Sequence, residues 1–324
     1  HLSIRRQRQM CIRDRIRHLP SKYVFFVDDN LTINKKYARD LMQKLKPLGV
    51  SWACMASIDV ADDEALLQEM ADAGCFNILI GFESLNPESL HEMHKDHNRE
   101  GEKFAESIQK IHRAGIHINA SFIVGFDNDT TAELDRIYDF SLKTAMPNVN
   151  LHLLAAPQGS ELNARLRKEG RLFKLSESIG DGFFPTIHYM NMGQLELFDR
   201  YVVTVNRLFS YDTILKKAKA LFSDGTFTRP GGSISFHRKM SLTLIILNEY
   251  LLTKDRDKRA LFFFLMTLIK KKKIAVDKAF SFMLSMLSIN RQLGKNMKNN
   301  EKYRILIRQN DVGPWKDKDV TSLS

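Results

Sequence analysis

Five clusters of polar residues follow five short apolar runs between Tyr23 and Gly170. Their carboxylates, carboxamides and hydroxyls can bind ammonium groups, metal ions or sugar hydroxyls. In a parallel α/β barrel the carboxyl ends of the strands share one face, so we expect the clusters to converge on one mouth. The clusters are Asp28-Asp29-Asn30, Ser57-Ile58-Asp59, Gly81-Phe82-Glu83-Ser84, Gly125-Phe126-Asp127-Asn128-Asp129 and Pro157-Gln158-Gly159-Ser160.

Asp28 and Asp29 are adjacent carboxylates at a strand end, and they repel each other unless a cation or hydrogen-bond donors receive them. One interpretation is a site that binds an ammonium group or a metal ion. The other is an Asp/Asn turn that caps the next helix, which a strand–helix junction needs in any case. The residues alone leave both interpretations open.

The third and fourth clusters also have two interpretations each. Glu83 and Ser84 suit a ribose or an α-amino group, or they form a local cap ahead of Asn86-Pro87. Gly125 either lets a ligand ring approach the backbone closely or is an ordinary turn glycine.

Short β-branched or aromatic runs alternate with segments of helical periodicity along this part of the chain. Repeated strand–helix units predict an α/β fold with a parallel sheet, either a barrel or a doubly wound sheet. The runs are nearly continuous in apolar character, which is typical of strands covered on both faces. The predicted strands are Tyr23–Val27, Ala53–Ser57, Ile78–Phe82, Ala120–Val124 and Val149–Leu154.

After about Gly182 the strand signals stop and long helical patterns rich in Leu, Phe and Met take over. We therefore expect an α-helical C-terminal region followed by a polar tail that frays. The predicted divisions are residues 1–17, which look foreign to the rest, residues 18–182 for the α/β part, residues 183–295 for the helical domain and residues 296–324 for the tail.

The net charge of +11 is concentrated at the two ends of the chain. Residues 254–324 carry 17 Lys and Arg against 7 Asp and Glu, whereas a nucleic-acid binder would carry its basic stripe on the folded domain. We therefore expect no nucleic-acid partner. Lys270–Lys273 either touches an anionic membrane surface or is a solvated helix end. Since no apolar run approaches the roughly 20 residues of a membrane span, a cytoplasmic location is expected, with membrane association limited to peripheral contact.

The sequence predicts no metal site. Cys54 and Cys75 have neither zinc-finger nor redox spacing, and we expect both to be small buried hydrophobic residues. The spacing of His91, His94 and His97 drifts around a helix and lacks the pair at i and i+4 that metalloproteases use.

Taken in order, the motifs resemble the cobalamin-binding (B12) branch of the radical S-adenosylmethionine (radical SAM) superfamily. The resemblance covers about residues 18–175, and the helical region beyond it is similar to the C-terminal extension of hopanoid-methylase-like members. The motifs that carry it are Val27-Asp28-Asp29-Asn30, Ile80-Gly81-Phe82-Glu83-Ser84, Ser121-Phe122-Ile123-Val124-Gly125-Phe126-Asp127 and Pro157-Gln158-Gly159-Ser160.

The resemblance implies a partial TIM-like (β/α) barrel with S-adenosylmethionine at its mouth. Two positions depart from the family's Gly-x-Ile-x-Gly-x-x-Glu pattern, because Ser121 replaces the first glycine and Asn128 replaces the acid. The residues assigned to the cofactor are Asp28, Asp29 and Asn30 for the amino group, Glu83 and Ser84 for the ribose and carboxylate, Ser57 at the mouth, and Ile123, Gly125 and Pro157 for the adenine.

The family's cysteine loop, Cys-x3-Cys-x2-Cys, holds a [4Fe–4S] cluster that reductively cleaves S-adenosylmethionine to a 5′-deoxyadenosyl radical. Neither this loop nor a cobalamin-binding domain matches the sequence. Residues 1–17 resemble translated sequencing-adapter read-through, so we expect an N-terminally truncated chain whose first barrel strand, cluster loop and cobalamin domain lie upstream. Such a chain would not bind the cluster or start the radical reaction by itself.

Three hypotheses about function follow. The first is the C-terminal part of a radical SAM enzyme that methylates an unactivated carbon of a small molecule or a lipid, such as a hopanoid. The second is a degenerate barrel that has lost its cluster and serves as a binding or scaffold module. The third is an aldolase-type barrel enzyme, which needs a lysine or a pair of carboxylates at a strand end. The catalytic residues and the oligomeric state are not predicted.

Overall fold

Five parallel strands form the centre of the computed structural model, which describes residues 14–19, 21–92, 101–172, 183–222 and 236–315. The four pairings are all parallel, and they follow chain order from β1 to β5. The strands are β1 (Tyr23–Phe26), β2 (Ser51–Met55), β3 (Cys75–Glu83), β4 (His117–Val124) and β5 (Asn148–Leu153).

Helices connect these strands, and the described residues beyond Gly193 form helices joined by short loops. A π-helical turn, Leu247–Leu251, continues the ninth helix. The helices are α1 (Lys35–Leu45), α2 (Glu64–Asp72), α3 (Pro87–Glu92), α4 (Gly101–Arg113), α5 (Ala132–Lys143), α6 (Glu161–Lys168), α7 (Gln194–Leu208), α8 (Tyr211–Phe222), α9 (Phe236–Ile246), α10 (Arg256–Lys270), α11 (Val276–Asn296) and α12 (Asn300–Arg308).

The strand order distinguishes the two sheet types that the sequence left open. A doubly wound sheet reverses its strand order at a switch point, where a later strand pairs with the opposite side of the first. Here every described strand adds to the same side of its predecessor, which is the winding of a (β/α) barrel. The α/β class and the helical C-terminal region are confirmed.

One face of β3, β4 and β5 is apolar and fully buried against helices. The ring of Phe82 stacks on Phe122 with centroids 5.3 Å apart, and Phe104 of α4 and Phe140 of α5 pack edge-on to Phe82. Aromatic packing of this kind joins two strands to two helices. The other members of this face are Ile78, Ile80, Ile118, Ala120, Val124, Val149, Leu151 and Leu153.

The opposite face of the same strands, here called the polar face, is half-buried. The prediction of strands covered by apolar packing on both sides is therefore wrong for β3–β5, because polar residues occupy every second position of β4 and β5 apart from Ile123. Strand register places the following side chains on this face: Asn77 and Leu79 on β3, His117, Asn119, Ser121 and Ile123 on β4, and Asn148, Asn150 and His152 on β5.

The C-terminal helices build a second core that meets the amino end of the polar face. The ring of His117 packs edge-on against Phe222 of α8, with centroids 6.1 Å apart. Burial lowers the pKa of His117 to about 3, so the imidazole is neutral at physiological pH. Tyr250 and Met283 lie in this second core, and the Tyr250 hydroxyl donates a hydrogen bond of 2.6 Å to the Met283 carbonyl.

Residues 300–308 form helix α12, although the sequence predicts a frayed polar tail from residue 296 onward. The helix is amphipathic, and its Ile307 is fully buried in the core around the sheet. Asp311 follows it and accepts hydrogen bonds from the backbone N–H groups of Gln194 and Leu195 at the start of α7. No helix within the described ranges is long and apolar enough to cross a membrane.

Candidate functional site

The carboxyl ends of the five strands lie along one edge of the sheet. Backbone hydrogen bonds extend the parallel register past the strand ends: Leu31 donates to Met55, Ala56 to Leu79, and Leu154 to Val124, over 2.8–3.1 Å. The five polar clusters therefore follow neighbouring strands at the same edge, as the sequence predicted. We call this edge the mouth of the sheet.

Asn30 connects the first two clusters directly. Its side-chain amide donates a hydrogen bond of 2.5 Å to the Ser57 hydroxyl, and its carbonyl oxygen accepts hydrogen bonds from the backbone and hydroxyl of Thr32. Asp28 and Asp29 stand exposed in the same turn. The cap of helix α1 is Asn34, whose side chain accepts from the Tyr37 N–H at 3.0 Å.

The Asn34 cap is relevant to the two interpretations of Asp28 and Asp29. Helix capping is carried out by Asn34, so the two carboxylates are not needed for it. Their exposed position leaves them able to receive an ammonium group from solvent. The structure therefore gives Asp28 and Asp29 no capping role for α1.

Glu83 has a strained backbone. Its φ of 64° is unusual for a residue with a side chain, and a β-bulge separates its pairing from that of Gly81. Such strain costs on the order of 1–3 kcal/mol and concentrates at functional sites. The Glu83 carboxylate lies over Gly81, where any side chain would collide with it. The carboxylate is thus folded back over Gly81 at the end of β3.

Ser84 belongs to the turn ahead of α3, which was the second of its two interpretations from the sequence. The residue is only 2% exposed, and its hydroxyl accepts a hydrogen bond of 3.0 Å from the Asn86 N–H. Asn86 in turn accepts from the Glu88 N–H at the start of α3. A buried hydroxyl committed to this turn is poorly placed to reach a ribose.

Three residues are predicted to bind the adenine. Ile123 lies on β4, Gly125 follows that strand directly, and Pro157 follows β5. Ile123 is half-buried on the polar face, opposite His152. Gly125 has a φ of 118°, and the ring of Tyr189 fills the space beside its Cα. The close approach that this glycine permits is therefore made by the protein's own tyrosine. Pro157 is exposed, and its carbonyl accepts from the Ser160 hydroxyl.

Asp129 is a buried hub that sequence reasoning did not single out. Its carboxylate accepts hydrogen bonds from the backbone N–H groups of Gly125 and Phe126 and from the side chains of Ser89 and Asn86. Burial raises its pKa, although all four donors favour the charged form. The hub joins the end of β4 to helix α3, and its only sequence signal is the acid four residues after the strand-ending glycine.

A network of ion pairs lies beside Asp129 at the mouth and is centred on Asp127. Asp127 accepts hydrogen bonds of 2.6 Å from both Arg165 and Arg171, and Arg165 also pairs with Glu92. Burial opposes ionisation of Asp127, but the hydrogen bonds and charge of Arg171 and Arg165 outweigh it and hold its pKa below the usual value. The Arg171 side chain is only 2% exposed.

The described residues do not fit an iron–sulfur cluster. Within them, no group of three or more His, Cys, Asp or Glu side chains is placed to hold a metal ion. Cys54 and Cys75 are buried, as predicted, and burial raises the pKa of the Cys75 thiol well above its usual value. His94 and His97 lie outside the described residues.

The sequence of residues 11–141 matches the model of the radical SAM superfamily. This range contains the first four strands, the acidic pair, Glu83 and Gly125. Residues 11–141 belong to the radical SAM superfamily.

Several curated relatives of the chain are methyltransferases by name. An uncharacterized methyltransferase of Synechocystis sp. is 35% identical over 50% of the chain and 32% of its own length. The hopanoid C-2 methylase of Rhodopseudomonas palustris is 34% identical over 46% of the chain and 29% of its own length. The bacteriochlorophyllide d C-12(1)-methyltransferase of Chlorobaculum tepidum is 26% identical over 59% and 41%. The chain spans less than half the length of each of these relatives.

Among solved structures, the radical S-adenosylmethionine methyltransferase TsrM of Kitasatospora setae, with cobalamin and a [4Fe–4S] cluster bound, is similar over 88% of the chain and 55% of its own length. The sequence identity is 11% and the TM-score is 0.48. At this score the likeness carries no further conclusion.

Replacing Gly125 with alanine is expected to destabilise the protein by about 3 kcal/mol, because a left-handed backbone and a collision with Tyr189 both oppose a Cβ. Gly159 provides a matched control, since it also has a positive φ but no atom lies within 4 Å of the place that an added methyl group would take. Gly159→Ala should therefore cost only about 1 kcal/mol. Urea unfolding measures both, and equal costs would contradict the packing role of Gly125.

Arg171→Met is expected to cost about 3 kcal/mol, because it leaves Asp127 and Glu169 short of a buried partner. Arg200→Met is the control, since Arg200 pairs with Asp135 at the same 2.6 Å but is half-exposed, and should cost less than about 1 kcal/mol.

The cost of Arg171→Met should also depend on pH. The folded pKa of Asp127 is lowered, so its stabilising contribution is present above the unfolded value of about 3.9 and is lost as the pH falls through the folded value. The difference between wild type and Arg171→Met should therefore shrink below about pH 4. Denaturant titrations at several pH values measure it, and a constant difference would exclude this origin.

Proposed function

We propose that this chain is the S-adenosylmethionine-binding part of a radical SAM methyltransferase that also uses cobalamin. The observation that carries the proposal is the mouth of the sheet, where the strained Glu83 and the exposed Asp28 and Asp29 follow neighbouring strands of the matched region. In the complete enzyme a [4Fe–4S] cluster would supply the electron that cleaves S-adenosylmethionine. The methyltransferase names of the relatives support the reaction class.

Each side chain has a defined task in this proposal. The carboxylates of Asp28 and Asp29 receive the α-ammonium group of S-adenosylmethionine through charge-assisted hydrogen bonds. Asn30, held by Ser57 and Thr32, fixes the turn that presents them. Glu83 accepts hydrogen bonds from the ribose hydroxyls. The Gly81 backbone beside it leaves room for this carboxylate.

The polar face indicates which chemical groups the methyl acceptor carries in this proposal. Asn119 and Asn148 are neighbours in register, and within the described residues the side-chain oxygen of each is buried without a hydrogen-bond partner. A buried acceptor atom needs a donor, so we propose that the part of the acceptor molecule that enters the sheet carries O–H or N–H groups.

A lipid acceptor is the second candidate, and the hopanoid C-2 methylase relative favours it. A saturated hydrocarbon alone would leave Asn119 and Asn148 without partners. The polar face is therefore compatible with a lipid whose hydroxylated or amine-bearing end enters the sheet.

The test uses the natural full-length protein, reconstituted with iron and sulfide under anaerobic conditions. Calorimetry with S-adenosylmethionine should show binding that Glu83→Gln weakens by about tenfold or more, because a charge-assisted hydrogen bond to the ribose is lost. Glu106→Gln, an exposed change on helix α4, serves as the control and should bind as wild type does.

The products distinguish the competing hypotheses. Formation of 5′-deoxyadenosine and transfer of an isotope-labelled methyl group would support the proposed reaction. Binding without either product would favour a degenerate scaffold, and absence of binding would favour an unrelated barrel enzyme. Equal affinity of wild type and Glu83→Gln would refute the assigned role of Glu83.

A further inference from the structure

A cavity of about 140 Å³ lies between helices α7, α11 and α12. One face of α7 supplies much of its wall, because Phe198, Tyr201, Val202 and Val205 recur at the i, i+3, i+4 and i+7 spacing of a single helix face. None of these four residues is more than 8% exposed. The other apolar wall residues are Leu293 of α11, Tyr303 of α12 and Phe183.

The walls of this cavity are largely aromatic. The rings of Phe198 and Tyr303 pack edge to face, with centroids 6.2 Å apart. The Tyr201 hydroxyl donates a hydrogen bond of 3.1 Å to the Leu151 carbonyl on β5, so the polar end of this side chain is already paired. An apolar cavity of about 150 Å³ accommodates one benzene molecule, and aromatic walls offer a planar ring further edge-to-face contacts. The cavity therefore fits a single six-membered aromatic ring.

The rim of the cavity is polar and carries positive charge. Lys295, near the end of α11, is exposed, and among the described residues that line the cavity it alone is charged. The nearby acids Asp199 and Glu301 both pair with Arg304. The Lys295 ammonium group can therefore pair with the anionic group of a ligand, and two carboxamides at the rim can donate further hydrogen bonds. These carboxamides belong to Asn299 and Asn300.

We propose that this cavity binds a small molecule that carries a carboxylate on a single aromatic ring. The ring would enter the cavity, and the carboxylate would pair with Lys295 at the rim. Phe183, which lines the cavity, also contacts His152 of the polar face, with ring centroids 5.5 Å apart. The cavity thus adjoins the polar face, but none of its described lining residues belongs to the polar clusters of the mouth. The inference does not depend on the proposed methyl transfer, because binding at this cavity is measured without S-adenosylmethionine or a cluster.

Titration of the full 324-residue chain with three probes tests the proposal, with NMR signals of the probes as the measurement. Benzoate should bind with a dissociation constant on the order of 1 mM. Benzyl alcohol has the ring without the charge, and cyclohexanecarboxylate has the charge on a thicker aliphatic ring, so each should bind about tenfold more weakly. Absence of saturable benzoate binding at about 10 mM would overturn the proposal. Equal or tighter binding of either other probe would also overturn it.

A substitution inside the cavity locates the site. Val205→Phe would place a ring in the space that the ligand needs, so it should abolish benzoate binding. Val203→Phe is the matched control on the same helix, because Val203 is 51% exposed and does not line the cavity. It should bind benzoate as wild type does.

A substitution at the rim tests the charge. Lys295→Met should weaken benzoate binding about tenfold and leave benzyl alcohol binding unchanged, because only the ion pair is lost. Lys298→Met is its control, since Lys298 is also exposed but does not line the cavity. Thermal melting shows whether each variant folds. If Val205→Phe does not fold, the exposed Lys295→Met change decides, and unchanged benzoate affinity in either folded variant would overturn the proposal.

Discussion

The two faces of one parallel sheet differ in polarity, and this difference determines where the rest of the molecule lies. The apolar face of β3–β5 can be buried only by helices, and the stacked rings of Phe82 and Phe122 fix two of those helices against it. The polar face carries carboxamides and imidazoles instead, and the buried side-chain oxygens of Asn119 and Asn148 have no hydrogen-bond partner among the described residues. This face is half-buried beside the mouth.

Buried polar groups hold the loops at the mouth together. Asp129 accepts hydrogen bonds from four donors in two segments, and the buried Arg171 pairs with Asp127. Removing one partner of such a network leaves another buried group unsatisfied, which is costly. These contacts reach the neighbourhood of the strained Glu83 backbone, because Asn86, a donor to Asp129, also donates its N–H to Ser84.

Much of this arrangement could be predicted from the sequence, because strand–helix alternation and strand-end clusters are local patterns. The positions of the five strands, the parallel sheet and the buried Cys54 and Cys75 all followed from such patterns. The polar face was missed because each strand was read as a run of apolar residues, while asparagines sit at alternate positions. The roles of Ser84 and Gly125 depend on Asn86 and Tyr189, and a contact as distant in sequence as that with Tyr189 leaves no local signal.

The cap that Asp311 places on helix α7 has a consequence for biosynthesis. Helix α7 contributes Leu197 and Phe198 to the core beneath the sheet, yet the carboxylate that satisfies its first N–H groups comes from more than a hundred residues later. Since the ribosome releases the chain from its amino end, the first N–H groups of α7 lack this cap until residue 311 has emerged. Nascent chains stalled before that point would expose apolar surface to chaperones.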